Sequence, residues 1–254
     1  MAPESRKTRP VAWDREALRA PHARADKAAR VEAMFDAIAP TYERVNRVVS
    51  FRRDAAWRRA TIAAADVRPD DIVLDVCCGT GDMMRAFAAH EPPPRLIIGA
   101  DFAAGMLACA SVPCSGAATA LLRADALRLP LRDGSVDIVS CAFGVRNFQD
   151  LDAGLREMHR VLRRGGRVVI LEFALPEHPL LRWGYRLYCE RVLPRIAAVI
   201  SRDRTGAYRY LPSSIRTFER RGAMVARLEQ AGFDRVSARP LDLGGVVIYR
   251  GEHS

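Results

Sequence analysis

Lysine is nearly absent from this sequence, although the chain is basic. Lys7 and Lys27 are the only lysines, so almost all of the formal net charge of +10 is carried by arginine. A basic surface suits nucleic acid or an anionic membrane, but it is equally typical of a solvated, arginine-biased exterior. We favour the solvated exterior, because charge alone selects no partner.

Long hydrophobic runs are also missing. No stretch approaches the ~18 uninterrupted apolar residues of a membrane span, and the first residues lead into no apolar segment typical of a secretory signal. The 254 residues, 49% of them hydrophobic, are enough for one well-filled domain. We expect a cytoplasmic protein with a domain at 29–254 and a mobile, Arg-, Ala- and Pro-rich tail at 1–28.

Paired cysteines and metal-binding spacings are absent as well. The six cysteines include no C-x-x-C pair, and several lie in apolar runs, where a thiol packs as a small hydrophobic group. The five histidines are scattered, and none is well placed to act as a base. We therefore expect reduced thiols and a metal-independent protein.

Strand and helix signals alternate along most of the chain. Apolar runs typical of strands occur at 72–76, 96–100, 118–122, 136–142, 167–173, 233–238 and 246–249. Helical patterns separate them, which is typical of a doubly wound α/β sheet. An apolar, aromatic segment at about 176–220 interrupts the alternation, and we interpret it as an inserted lid. Turn residues between the last two strands predict an antiparallel ending.

A glycine turn follows the first predicted strand. The strand at 72–76 contains Asp75 and leads into Gly79-Thr80-Gly81, and glycines there admit positive φ and a close approach of a ligand to the main chain. The dinucleotide fingerprint G-x-G-x-x-G is absent. Asp82 also places negative charge where a phosphate would bind. The turn therefore favours a cationic nucleotide cofactor.

A second acid stands at the spacing expected for a ribose contact. Asp101 follows an apolar run about twenty residues after Gly81, the position from which an acid binds ribose hydroxyls in nucleotide-binding α/β sheets. A glycine turn alone is weak evidence, but together with Asp101 it predicts binding of S-adenosylmethionine.

Several sequence blocks, in order, resemble those of a known family. The blocks are Met34 to Tyr42, then Asn46, Ser50-Phe51 and Trp57, Gly79 to Asp82, Phe143 to Asn147, Arg160 to Gly166, Leu171 to Phe173, and Tyr208 to Ile215. Over residues 30 to 252 the chain resembles the ubiquinone/menaquinone biosynthesis C-methyltransferase family. The resemblance implies the class I methyltransferase fold, with seven strands and the last antiparallel. It also implies methylation of a ring carbon of a prenylated quinol by S-adenosylmethionine.

The resemblance assigns cofactor contacts to individual positions. The implied contacts are Asp75, Gly79, Thr80 and Gly81 at the turn, Asp101 at the ribose, and Asp125 and Ala126 beside the adenine. Asp125 replaces a common asparagine but can still accept a hydrogen bond from the adenine amino group. The alternative is that Asp125 only caps the turn before Leu127. Other departures from the family pattern are Glu43, Val45, Asp54, Ala142, Arg164 and Ala174.

Candidate catalytic residues follow the fourth predicted strand. Arg146 and Asn147 stand at the carboxyl edge where ligands bind, and a guanidinium there can hold a phenolate or a proton-accepting water. The alternative is that Arg146 pairs with a nearby acid such as Asp150 or Asp152. Tyr42, with Tyr208 to Tyr210, is a candidate for closing over the acceptor, and simple aromatic packing is the alternative.

The acceptor is expected to be demethylmenaquinol, with the polyprenyl benzoquinol of ubiquinone synthesis as an alternative or second acceptor. Apolar residues of the insertion would form an apolar entrance for the prenyl tail, and arginines would bind anionic lipid at the membrane surface. These entrance residues are Trp183, Leu187, Val192 and Ile196. A homodimer remains open.

Three rival functions are less well supported. Another phenolic small molecule as acceptor shares every cofactor argument. A nucleic-acid methyltransferase is disfavoured, because Cys114 of the Pro-Cys pair precedes the third strand and no basic binding module is apparent. A non-catalytic binding protein is disfavoured by the intact glycine turn.

Overall fold

A single mixed sheet organises the protein. The computed structural model describes residues 12–111, 116–201, 203 and 205–254. Seven strands in this part of the chain form the order β3-β2-β1-β4-β5-β7-β6. The strands are β1 Ile72–Val76, β2 Leu96–Asp101, β3 Ala118–Arg123, β4 Val136–Ala142, β5 Leu162–Phe173, β6 Asp234–Leu241 and β7 Val246–Glu252. Strands β1 to β5 pair in parallel, and β7 is antiparallel to both β5 and β6. The predicted doubly wound sheet with an antiparallel ending is confirmed.

Helices cover both faces of the sheet. The α-helices of the described chain are α1 Lys27–Ile38, α2 Tyr42–Val49, α3 Asp54–Ala65, α4 Asp82–Ala88, α5 Ala104–Ala108, α6 Leu151–Val161, α7 Pro179–Leu187, α8 Leu193–Ser201, α9 Ala207–Thr217 and α10 Arg221–Gln230. In β1, Leu74 belongs to a core cluster that includes residues of α6 and α10, whereas its neighbour Val73 belongs to a cluster that includes residues of α3 and α4. Successive side chains of a strand point to opposite faces, which explains why β1 is almost continuously apolar.

The strand order creates a ligand-binding edge. Chain connections run outward from β1 to β2 and β3 on one side and to β4 and β5 on the other. The carboxyl ends of β1 and β4 therefore lie at a topological switch point, where open α/β sheets bind ligands.

A third core lies outside the sheet, between the N-terminal helices and the insertion. Trp13 is fully buried and stacks on Tyr210 of α9 with ring centroids 4.3 Å apart. The prediction of a mobile tail at 1–28 is therefore wrong for residues 12–28, which pack on the domain, while residues 1–11 lie outside the described part. Local pattern could not reveal this packing, because the partner of Trp13 is near the other end of the chain.

Candidate active site

The predicted glycine turn lies between β1 and α4 at the carboxyl edge of the sheet. Cys77, Gly79 and Gly81 have φ angles of 56°, 55° and 90°. A Cβ added to Gly79 would meet no atom within 4 Å, so the main chain there faces open space. Glycine adopts this conformation freely, whereas at Cys77 it costs on the order of 1–3 kcal/mol. The turn thus keeps strained backbone at the carboxyl edge of the sheet, where open α/β sheets bind ligands.

Asp101 supports the turn from the end of β2. Its Oδ2 accepts the N–H of Gly79 at 2.9 Å, and its Oδ1 accepts the N–H of Ala103 at 2.9 Å. Burial raises the pKa of Asp101, and these backbone hydrogen bonds oppose the rise. Because each carboxylate oxygen has further lone pairs, both can still accept a ribose hydroxyl.

A narrow cleft of about 40 Å³ opens beside Asp101. It brings together Asp101, Asp125, Ala126 and Asn147, and Ala28 of α1 forms part of its wall. Asp125 also accepts the N–H of Leu127 through Oδ1 at 2.9 Å, so the turn-capping role occurs while Oδ2 remains available.

The other predicted cofactor positions lie outside the cleft wall. Thr80 is buried, and its Oγ1 has no hydrogen-bond partner among the described residues. Asp75 is enclosed within the sheet, and burial raises its pKa to about 7. The Ser140 hydroxyl beside it on β4 offsets part of that rise without meeting hydrogen-bond geometry.

An arginine network connects the turn to α2. Arg85 donates to the carbonyl oxygen of Thr80 at 2.9 Å and to Glu43 Oε1 at 2.7 Å, and it also binds Asp82. Arg58 donates to Asp82 Oδ2 at 2.9 Å. Two guanidinium groups thus offset the charge of Asp82, so its repulsion of a phosphate is weaker than the sequence suggests. Glu43, a departure from the family pattern, fastens α2 to the turn.

A second, larger cavity of about 260 Å³ lies between the N-terminal helices and the insertion. Its aromatic wall includes Phe143 and Phe173, stacked with centroids 4.3 Å apart, and Trp57, edge-on to both at 6.1 and 6.2 Å. Three tyrosines that the sequence suggested would close over the acceptor also line it. They are Tyr42, Tyr208 and Tyr210. The cavity is therefore mainly apolar, with tyrosine side chains on its walls.

Arg146 lines this cavity and is held by an acid that the sequence did not single out. Its Nη1 donates to Glu172 Oε1 at 2.8 Å and to the carbonyl oxygen of Phe143 at 2.5 Å. The side chain of Glu172 is 1% exposed. Both side-chain hydrogen bonds of Arg146 within the described chain use Nη1, and Nε has no partner there. The guanidinium carbon lies 5.5 Å from the centre of the Phe173 ring.

The alternative partners of Arg146 are occupied elsewhere. Asp150 caps α6 by accepting the N–H of Ala153 at 2.9 Å, and Asp152 pairs with Arg227 at 2.6 Å. Arg146 does pair with an acid, as the alternative held, but its partner is Glu172 rather than Asp150 or Asp152. An acid inside the apolar strand β5 was the available sequence signal for Glu172, since buried charges need a partner.

Asn147 joins the two spaces. It belongs to the wall of the cleft, and its Oδ1 accepts the hydroxyl of Tyr210 at 2.9 Å, whose ring lines the cavity. A short 3₁₀ turn, Val145–Asn147, therefore places Arg146 in the cavity and Asn147 in the cleft. The two spaces adjoin at the end of β4.

Solved structures share this fold. One is an S-adenosylmethionine-dependent methyltransferase of Thermotoga maritima, with a TM-score of 0.58 and 17% identity, covering 87% of this chain and 98% of that chain. Another is phosphoethanolamine N-methyltransferase 2 of Haemonchus contortus, with a TM-score of 0.52 and 16% identity, covering 72% and 38%. At such identities the likeness establishes the fold alone.

Sequence relatives are much closer. The chain is 44% identical to the demethylmenaquinone methyltransferase of Deinococcus radiodurans, covering 86% of this chain and 90% of that protein. It is 37% identical to the ubiquinone/menaquinone biosynthesis C-methyltransferase of Geotalea daltonii, covering 89% of this chain and 97% of that protein. The model of the ubiE/COQ5 methyltransferase family matches residues 23–253. The chain therefore belongs to the ubiE/COQ5 methyltransferase family.

Proposed function

We propose that this protein methylates a ring carbon of a prenylated quinol, with demethylmenaquinol as the acceptor and S-adenosylmethionine as the methyl donor. The observation that carries the proposal is the turn Val145–Asn147, which sets a charged group in an apolar cavity directly beside the cleft at Asp101. Relatives that bear the name demethylmenaquinone methyltransferase at 41–44% identity support the acceptor.

The residues around the cleft fit the donor. Asp101 would bind the ribose, Asp125 and Ala126 would flank the adenine, and the open main chain at Gly79 would accept the amino-acid part. Bound S-adenosylmethionine supplies an activated methyl group on a sulfonium. Asp101, the acid at the cofactor edge, suits that positive charge.

Arg146 would act on the acceptor. A quinol carbon becomes nucleophilic when a neighbouring hydroxyl loses its proton, and a cation fixed in an apolar cavity stabilises the resulting phenolate. Glu172 holds Arg146 in one orientation, so the charge needs no rearrangement during the reaction. Such fixed groups contribute roughly 3–4 kcal/mol, and alignment of the ring with the methyl group can contribute on the order of 7 kcal/mol.

Substitution of Arg146 tests this assignment. In Arg146→Met, kcat should fall about a hundredfold or more, because a donor to developing negative charge is lost. The affinity for S-adenosylmethionine should stay near that of the wild type, since Arg146 is not part of the cleft wall. Stopped assays and calorimetry measure both, and an unchanged kcat would remove Arg146 from the chemistry.

The quinone pool of a deletion strain tests the substrate. Loss of methylated menaquinone with accumulation of its demethylated form is expected, and restoration by a plasmid-borne copy is the control. Loss of ubiquinone at the same step would identify the polyprenyl benzoquinol as a second acceptor. Unchanged levels of both methylated quinones would overturn the proposal and favour another phenolic acceptor.

A further inference from the structure

Helix α7 turns its apolar stripe away from the protein. None of its residues is buried. Leu180, Trp183 and Leu187 are spaced i, i+3 and i+7, so they share one face, and they are 68%, 65% and 38% exposed. A surface helix normally directs such a stripe into the core. A contiguous exposed stripe of this kind indicates a binding partner outside the chain.

Helix α2 presents a second exposed stripe. Arg44, Arg47 and Val48 follow helical spacing on α2, Phe51 stands in the turn after it, and all four are exposed. Phe51 has a φ of 52° and is 70% exposed, so the chain leaves α2 in a left-handed turn that displays an aromatic ring to solvent. Such backbone is costly outside glycine, which fits a functional use of the ring.

The two stripes adjoin. The ring of Phe51 lies 5.8 Å from that of Tyr188, which directly follows α7, and the Tyr188 hydroxyl donates to the carbonyl oxygen of Val49 at 2.6 Å. Of the residues that line the larger cavity, where the acceptor is proposed to bind, Phe51 and Arg53 are the exposed ones. The mouth of the cavity therefore opens at this combined surface.

The charge around the surface is mainly positive. Exposed arginines on α2, on the following turn and along the insertion are Arg44, Arg47, Arg52, Arg53, Arg186, Arg191 and Arg195. Two of them are paired, Arg53 with Asp242 and Arg186 with Glu190. Apolar side chains beside unpaired arginines match the interfacial region of a bilayer that contains anionic lipid. No helix of the described chain is long and apolar enough to cross a membrane, so the fit is to a surface.

We propose that α7, together with α2 and its following turn, docks on the surface of an anionic lipid bilayer. The apolar stripe of α7 enters the headgroup boundary, and the arginines contact lipid phosphates. That this contact delivers the acceptor rests on the proposed function, because a prenyl tail could then pass from the lipid into the cavity at Phe51. The docking itself needs only the exposed stripes.

Vesicle binding by the full chain tests the docking. Flotation with phosphatidylcholine vesicles, with and without phosphatidylglycerol, should recover the wild type mainly with the anionic vesicles. The triple variant Leu180→Ser, Trp183→Ser, Leu187→Ser should bind about a hundredfold more weakly, since three apolar side chains lose their burial. Leu121→Ser is the matched control, because Leu121 is 43% exposed on β3, far from α7 in sequence and sheet order. It should bind as the wild type does.

The contribution of the arginines and the insertion of α7 into the bilayer are tested separately. Arg47→Gln with Arg52→Gln should weaken anionic binding roughly fivefold for each arginine and reduce its salt dependence, whereas Arg132→Gln should not. Trp13 and Trp57 are buried, so the fluorescence of Trp183 reports insertion by a blue shift and by quenching with brominated lipid. Equal binding of wild type and triple variant, or absence of wild-type binding, would overturn the docking.

Methyl-transfer assays distinguish a failure of the membrane docking from a failure of the proposed function. The triple variant should methylate a quinol without a tail as fast as the wild type, because its three residues do not line the cavity, but should lose activity on acceptor embedded in vesicles. Vesicle binding without methylation of any quinol would overturn the function and leave the docking intact. Equal loss on both acceptors would show damage to the fold and contradict a role confined to the surface.

Discussion

Glu172→Gln breaks the buried ion pair that holds Arg146. The two side chains are 1% and 6% exposed, and the Nη1 to Oε1 distance is 2.8 Å. Removing one charge from such a pair leaves the other buried without compensation, which costs about 3–5 kcal/mol. Glutamine retains a carbonyl oxygen that can accept one hydrogen bond, so we expect the free energy of unfolding to fall by about 3 kcal/mol, the lower end of this range. A domain of this kind is stable by roughly 5–15 kcal/mol, so the variant should still fold.

Urea unfolding followed by circular dichroism measures that loss, and steady-state kinetics measure its effect on the reaction. The matched control is Asp71→Asn, which breaks another buried pair, Arg167 with Asp71 at 2.5 Å, at the opposite edge of the sheet. Both variants should lose stability, but only Glu172→Gln should lower kcat, by about tenfold or more, because it frees Arg146 to move. A stability loss below about 1 kcal/mol, or an equal kcat in both variants, would refute the reasoning.

Three further changes test the cofactor edge. Asp101→Ala should weaken S-adenosylmethionine binding at least about a hundredfold by calorimetry, since hydrogen bonds to a charged acceptor are lost, and retained affinity would contradict the ribose assignment. Gly144→Ala should weaken S-adenosylmethionine binding about tenfold, because the added Cβ would lie 2.6–2.9 Å from the side chains of Cys77 and Cys141. Gly184→Ala should leave this binding unchanged, because the added Cβ would meet nothing within 4 Å. Burial raises the pKa of Asp75 from 3.8 to about 7, so the folded state binds the proton more tightly and stability falls as the pH rises through that interval. Asp75→Asn should abolish that fall, of up to about 4 kcal/mol, and a pH dependence of unfolding like the wild type's would contradict the shift.

The fold was largely predictable because its signals are local. Each buried parallel strand is an apolar run bounded by turn residues, and the helices between them carry their own periodicity. The glycine turn and Asp101 were predictable for the same reason, since both follow strands at a fixed spacing. The β4 boundaries, Val136–Ala142, agree with the prediction because both ends meet turns.

The features that the sequence did not predict depend on contacts between distant segments. Glu172 meets Arg146 only because β5 lies beside β4 in a particular register, and the burial of Trp13 depends on α9. Neither partner can be chosen from local pattern, since several acids near Arg146 in sequence were equally available. The outward-facing stripe of α7 is likewise a matter of packing. A helical pattern reveals the stripe but not the side to which it turns.

Methylation of demethylmenaquinol by the purified chain is the most direct measurement of the proposed activity. S-adenosylmethionine with an isotopically labelled methyl group would be supplied together with demethylmenaquinol in anionic vesicles, and the product would be examined by mass spectrometry and NMR. We expect the label on a ring carbon, giving menaquinol. A chain that binds S-adenosylmethionine yet leaves the ring carbon unlabelled, or that labels a hydroxyl oxygen instead, would contradict quinol C-methylation.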